Sequence, residues 1–146
     1  MKSRIARTLS LLLLTVFLTG QAYAEDSPIG LWKTIDDDGK TPKSHVQIFE
    51  RGGKLCGKVV KLLQSEPGKR CDQCPGEKKD QPIMGMEIMW DLEKQPDGNE
   101  YADGKILDPD NGKVYRCKIW REEDTLKVRG YIAFLFRTQT WHPVGD

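Results

Sequence analysis

The chain has 146 residues, with 23 Lys and Arg against 22 Asp and Glu. That balance, with no block of one sign and no aromatic–basic stripe, excludes nucleic acid as a partner. Outside residues 9–18 no apolar run approaches the roughly 20 residues that a membrane-spanning helix needs.

Residues 9–18 are apolar, follow the cations Lys2, Arg4 and Arg7, and precede Ala22-Tyr23-Ala24. A basic start, a short apolar run and small residues at that spacing define a secretory signal peptide, with cleavage expected after Ala24. The expected domains are therefore 1–24, a removed leader, and 25–146, one domain of ordinary size. Removing the leader leaves 20 Lys and Arg against 22 Asp and Glu, with no membrane span in the remaining chain. All four cysteines, Cys56, Cys71, Cys74 and Cys117, lie in the exported part. A periplasmic or secreted location, oxidising enough for disulfides, is expected.

From residue 29 the pattern is one of strands. Residues 29–35 read as the first, stopped by Asp36-Asp37-Asp38-Gly39, and an Asp-Gly pair signals a tight turn. Residues 44–50 alternate and turn back at Gly52-Gly53 into 54–63. Residues 64–82 break the pattern with Pro, Gly, charges and the pair Cys71 and Cys74. Long loops in compact domains are often functional or tied down. Alternation resumes over 83–92, placing Met84, Met86, Ile88, Trp90 and Leu92 on one face. Pro96-Asp97-Gly98-Asn99 and Asp108-Pro109-Asp110-Asn111-Gly112 are turns around a strand at 101–107. Strands at 113–121, 126–134 and 137–141 complete the chain. Eight strands joined mostly by short polar turns, with no convincing helix, predict an all-β fold: one antiparallel up-and-down barrel. A barrel of eight strands has room for packed side chains or for one small ligand.

The segments GLWKTIDDDG, SHVQIFE, GKLCGKVVKL, CDQCPG, PIMGMEIMWDL, GKILDPDNGKVYRCKI, LKVRGYI and RTQTW occur in that order over residues 29–141. In this the chain resembles a bacterial exported-protein family, domain of unknown function 2147. Its Gly30-Leu31-Trp32 and late arginine are similar to the lipocalin and fatty-acid-binding-protein superfamily. The resemblance implies a lipocalin-like barrel behind a signal peptide, and it implies no catalytic residue. In that superfamily the early tryptophan packs on a late arginine beneath the barrel, so Trp32 and Arg137 are expected to form the seam between the first and last strands. Cys56 stands where family members look aromatic, which argues against a general disulfide there.

Ligand-lining candidates are Val59, Met84, Met86, Ile88, Trp90, Tyr115, Val128, Ile132 and Phe134. They either fill the barrel or line a cavity for a small hydrophobic or amphipathic molecule, with Tyr115 as hydrogen-bonding anchor. Filling the barrel is the first reading of this stripe; the resemblance, not the periodicity, raises the cavity beside it. Cys71 and Cys74 are read first as a local structural disulfide. Redox chemistry and metal binding are the alternatives, but Pro75-Gly76 opposes the helix that activates a thioredoxin-type thiol, and no second ligand pair has zinc spacing. Strand parity sets Cys56 and Cys117 on opposite faces, which would keep them from pairing. No nucleophile–base pair is present, so no catalytic residue, metal or cofactor is expected. The function read from the chain is that of an exported binding protein. An envelope interaction module without a ligand, or a CxxC redox role, stands as the alternative.

Overall fold

The computed structural model describes residues 26–145. The expected leader lies outside the described residues.

Eight strands follow in order: β1 (Gly30–Ile35), β2 (Pro42–Arg51), β3 (Lys54–Leu62), β4 (Glu87–Lys94), β5 (Glu100–Asp108), β6 (Lys113–Glu122), β7 (Thr125–Ile132) and β8 (Leu135–Pro143). Each pairs antiparallel with the next, and β8 returns to β1, closing the barrel. One 3-10 turn, Gly76–Lys78, is the helical element among the described residues. The expected all-β up-and-down barrel is the observed fold.

The turns sit where the chemistry of Gly and Asp put them. Gly39, Gly52, Gly53, Gly98 and Gly112 all take positive φ, the region that side chains with a Cβ avoid. At Gly112 the demand is double: φ is +70, and a Cβ there would lie 1.7 Å from the Gln73 carbonyl oxygen, whereas one at Gly39 would meet nothing within 4 Å.

One end of the barrel is packed shut. Trp32, Val46, Ile48, Leu55, Met89, Leu92, Ile119 and Leu126 are buried there, and the Trp32 indole donates to the Pro28 carbonyl at 2.7 Å. Closure between β1 and β8 rests on two register pairs at this end, Trp32 with Pro143 and Lys33 with His142. The expected seam needs correction. The guanidinium over the Trp32 ring belongs to Arg121, at 5.0 Å. Arg137 sits at the opposite end of β8 and pairs with Asp37. Alternation along a strand tells faces apart but not heights, and Arg137 lies too far up β8 to reach Trp32.

The second correction concerns β4. It begins at Glu87, not at residue 83, and its alternation is broken. Register shifts flank Gly57 on the β3 side, and Asp91 takes φ +60. Ile88, Met89 and Leu92 are all buried. Trp90 is half-buried beneath the Lys78 ammonium, 5.2 Å from its ring centre.

Candidate functional site

The open end of the barrel carries the β1–β2 turn, the long β3–β4 loop, the β5–β6 turn and the β7–β8 hairpin tip. Below them lies a cavity of about 400 Å³. Its depth is apolar: Ile35, Val59, Ile88, Ile106, Val128 and Trp141 line it. These side chains follow from strand parity, which sends alternate residues inward. Gly104 and Gly130 are inward positions without side chains. At Gly104 a Cβ would come within 2.6 Å of the Trp90 carbonyl oxygen, and at Gly130 one would meet Tyr115 Cβ at 3.4 Å. The first glycine permits close packing; the second leaves room beside Tyr115.

Polar groups enter at three places. Thr34 and Ser44 are buried in the wall and share a hydrogen bond of 2.8 Å. Tyr115 lines the cavity, and its hydroxyl accepts from Asn111 Nδ2 at 3.2 Å, which leaves its own proton free to donate. Around the mouth, Lys43 Nζ lies 2.5 Å from Asp110 Oδ2, and Lys69 Nζ 3.3 Å from Asp110 Oδ1. Asp37 pairs with Arg137 and accepts from Gln139 Nε2 at 3.1 Å. It thereby bridges β1 and β8 above the point where their backbone pairing ends. Burial alone would raise the Asp110 carboxyl; the Lys43 hydrogen bond and charge, then Lys69, outweigh it and hold the carboxyl below its usual range. For Asp37 burial again raises, and hydrogen bonds from Gln139 and Arg137 outweigh it. Lys43 is the converse: desolvation lowers it, and Asp110 more than restores it, so its ammonium is held above the usual value.

Of the ligand-lining candidates, Val59, Ile88, Tyr115, Val128 and Ile132 come together around the cavity. Met84, Met86, Trp90 and Phe134 do not. Met86 is buried under the long loop, its sulfur 4.0 Å from Cys74 Sγ. Met84 borders a shallow hollow with Lys78 and Gln81. Both precede β4, so no strand alternation governs them. Phe134 is 88% exposed at the hairpin tip, because the chain reverses there instead of continuing as a strand. Trp141, Gln139 and Arg137 also line the cavity and were not among the expected lining residues; their shared parity on β8 is the signal that could have found them.

Cys71 and Cys74 form a disulfide, and both are buried. The bonded loop is pinned to the β5–β6 turn through the Gln73–Gly112 contact and the Lys69–Asp110 pair. Cys56 and Cys117 are free and buried. Cys117 faces the interior, where burial pushes its thiol far above the usual value. Among the described residues no three His, Cys, Asp or Glu side chains converge as a metal site requires.

Comparison with known proteins places this geometry. No curated protein matches the chain. A solved structure similar to it is described as "Protein HP1028 from the human pathogen Helicobacter pylori belongs to the lipocalin family". The TM-score is 0.71, with 21% identity over 82% of this chain and 84% of that one. At that identity the likeness is one of fold, and the fold is a lipocalin-like barrel. The family model described as "Uncharacterized protein conserved in bacteria (DUF2147)" matches residues 30–143, and the chain belongs to that family.

Proposed function

We propose that this protein is an exported carrier or sensor that holds a small hydrophobic or amphipathic molecule in the barrel. One observation carries the reading: the open half of the barrel is not filled by its own side chains but keeps a cavity of about 400 Å³, within the range of small-molecule sites. Its apolar depth and polar mouth suit a molecule with an apolar body and one polar end. Tyr115 is the anchor within reach of such a molecule, and the Thr34–Ser44 pair is a second polar spot on the wall. The signal-peptide pattern of residues 1–24 supports export to the periplasm or beyond, where the Cys71–Cys74 bond is stable against reduction.

Native mass spectrometry of the protein purified from its own cells tests this. The expected result is a mature chain beginning at Glu25 with an added mass of small-molecule or lipid size, removed by organic extraction. Val128→Trp projects an indole into the cavity. In a cavity the added volume is tolerated, whereas in a packed core it would cost about 1–3 kcal/mol. The variant is therefore expected to melt near wild type and to lose both the added mass and the binding of a dansyl-labelled fatty acid. Wild-type protein that carries no added mass and binds no dansyl fatty acid would sink the proposal.

A further inference from the structure

The β7–β8 hairpin tip is chemically unlike every other short turn of the barrel. Those turns are built of Asp, Glu, Asn, Gln, Gly, Pro, Lys and Thr. This one reads Tyr131-Ile132-Ala133-Phe134-Leu135-Phe136, six residues without a charge or an amide. Ile132, Phe134, Leu135 and Phe136 are 50, 88, 65 and 60% exposed. Ala133 takes φ +52, where hairpin turns favour Asn or Gly. The chain thus keeps an apolar residue at a position whose backbone disfavours it, which makes an accidental run of apolar residues a poor account. A contiguous exposed apolar surface of this kind marks an interaction site.

Directly behind the tip stand cations laid on aromatic rings. The Arg129 guanidinium lies 4.4 Å from the Phe136 ring centre and 5.0 Å from that of Trp120. Arg116 lies 5.8 Å from the Tyr131 ring and donates to the Ala133 carbonyl at 3.3 Å. The Tyr131 and Phe136 rings are 5.9 Å apart. Among the described residues neither Arg116 nor Arg129 meets a carboxylate, whereas the acids of the same mouth, Asp37 and Asp110, are already matched by Arg137, Lys43 and Lys69.

We propose that this tip docks the protein on a lipid bilayer bearing anionic headgroups. Apolar side chains at the point, Tyr131 one layer back and the unmatched Arg116 and Arg129 at headgroup level form the order in which a shallow membrane anchor is stratified, with Trp120 deeper, level with Lys127. The backbone of β8 from Leu135 to Trp141 pairs with β7 alone, and Arg137 and Gln139 tie the strand back to Asp37 below the tip. The unmatched cations beside the exposed apolar tip favour an anionic bilayer over a purely apolar protein pocket. Ile132, Leu135 and Phe136 also border the cavity mouth, so docking turns the mouth toward the hydrocarbon. That last consequence bears on cargo and rests on the proposed carrier function; the docking itself does not.

Co-sedimentation of the processed protein with vesicles tests the docking. With vesicles of equal parts phosphatidylglycerol and phosphatidylcholine, binding is expected, and it weakens with added salt and on pure phosphatidylcholine. Phe134→Asp removes a side chain whose burial is worth about 1.5–3 kcal/mol, so partitioning should fall at least about tenfold. Its circular dichroism and melting should stay unchanged, because Phe134 is solvent-exposed. Arg116→Gln with Arg129→Gln should weaken binding to the anionic vesicles and leave the weak binding to neutral ones alone. Val128→Trp, blocked for cargo, should still dock, so docking and carrier function fail separately. Absence of wild-type binding to the anionic vesicles, equal binding by Phe134→Asp, or a wild-type dimer that Phe134→Asp dissociates would each overturn the proposal.

Discussion

The place over Trp32 that was expected of Arg137 is taken by Arg121. Arg121 lies over Trp32, and its buried Nε has no hydrogen-bond partner among the described residues. The indole face is then the contact that offsets its desolvation. A partly buried cation–π pair of this kind is worth about 1–2 kcal/mol, and the aliphatic stem of Arg121 adds packing. Arg121→Ala is therefore expected to lower stability by about 1–3 kcal/mol in urea denaturation. Arg137→Ala breaks an exposed pair with Asp37, and solvent screening limits the loss to about 1 kcal/mol or less. The reverse ranking would restore Arg137 to the seam. The resemblance implied that a late arginine would meet Trp32. It did not show which, because both arginines sit on late strands and only the three-dimensional register gives their heights.

At the scale of elements, turn chemistry was the most readable signal. Asp-Gly, Asn-Gly and Gly-Gly pairs favour left-handed backbone, and the structure places turns on those at 38–39, 52–53, 97–98 and 111–112, whereas Asp103-Gly104 lies within β5 at an irregularity where Asp103 takes φ +61. The start of β4 was not readable. Residues 83–86 continue the apolar alternation of a strand, yet they pack beneath the disulfide loop, where Gly85 donates to the Val59 carbonyl at 2.7 Å. The left-handed Asp91 leaves no mark in the pattern either, so the face of Trp90 was misassigned. The loop itself is tested at Gly112. Gly112→Ala adds left-handed strain of about 1 kcal/mol and forces Gln73 away, so a total loss of about 2–3 kcal/mol is expected. Because the clash falls on the loop, protease nicking between Cys74 and Lys79 should also quicken. A variant as stable and as resistant as wild type would mean that the loop does not rest on the β5–β6 turn.

Across the whole molecule the barrel is divided into a packed end and a mouth held by charges. The two halves should part company in acid. Asp37 and Asp110 are held below the usual carboxylate value of 3.8. A lowered folded value means that their contribution is complete above about pH 4 and is lost as the pH falls through the lower folded values. Asp37→Asn and Asp110→Asn should each cost up to about 1 kcal/mol at neutral pH and progressively less as the pH falls through the lowered folded values. Gaps that persist in acid would show that the mouth is held by something other than these carboxylates. Eight alternating strands joined by polar turns made the barrel legible in the sequence, but not its division into a packed end and a charged mouth. The cavity was not legible, since a filled barrel and a hollow one share the same alternation; they differ through residues such as Gly130, whose missing side chain leaves space only in three dimensions.

The seam between β1 and β8 also sets an order of events in time. Trp32 and Pro143 are register partners drawn from opposite ends of the domain. While the chain emerges from a ribosome or an export channel, β1 has β2 beside it, but its other edge stays open until the last strand arrives. The hairpins can form locally and early, whereas ring closure is a long-range step of the kind that slows β folding. Until then the open edge is an aggregation hazard, and a chain cut short within β8 would carry that edge for its whole lifetime.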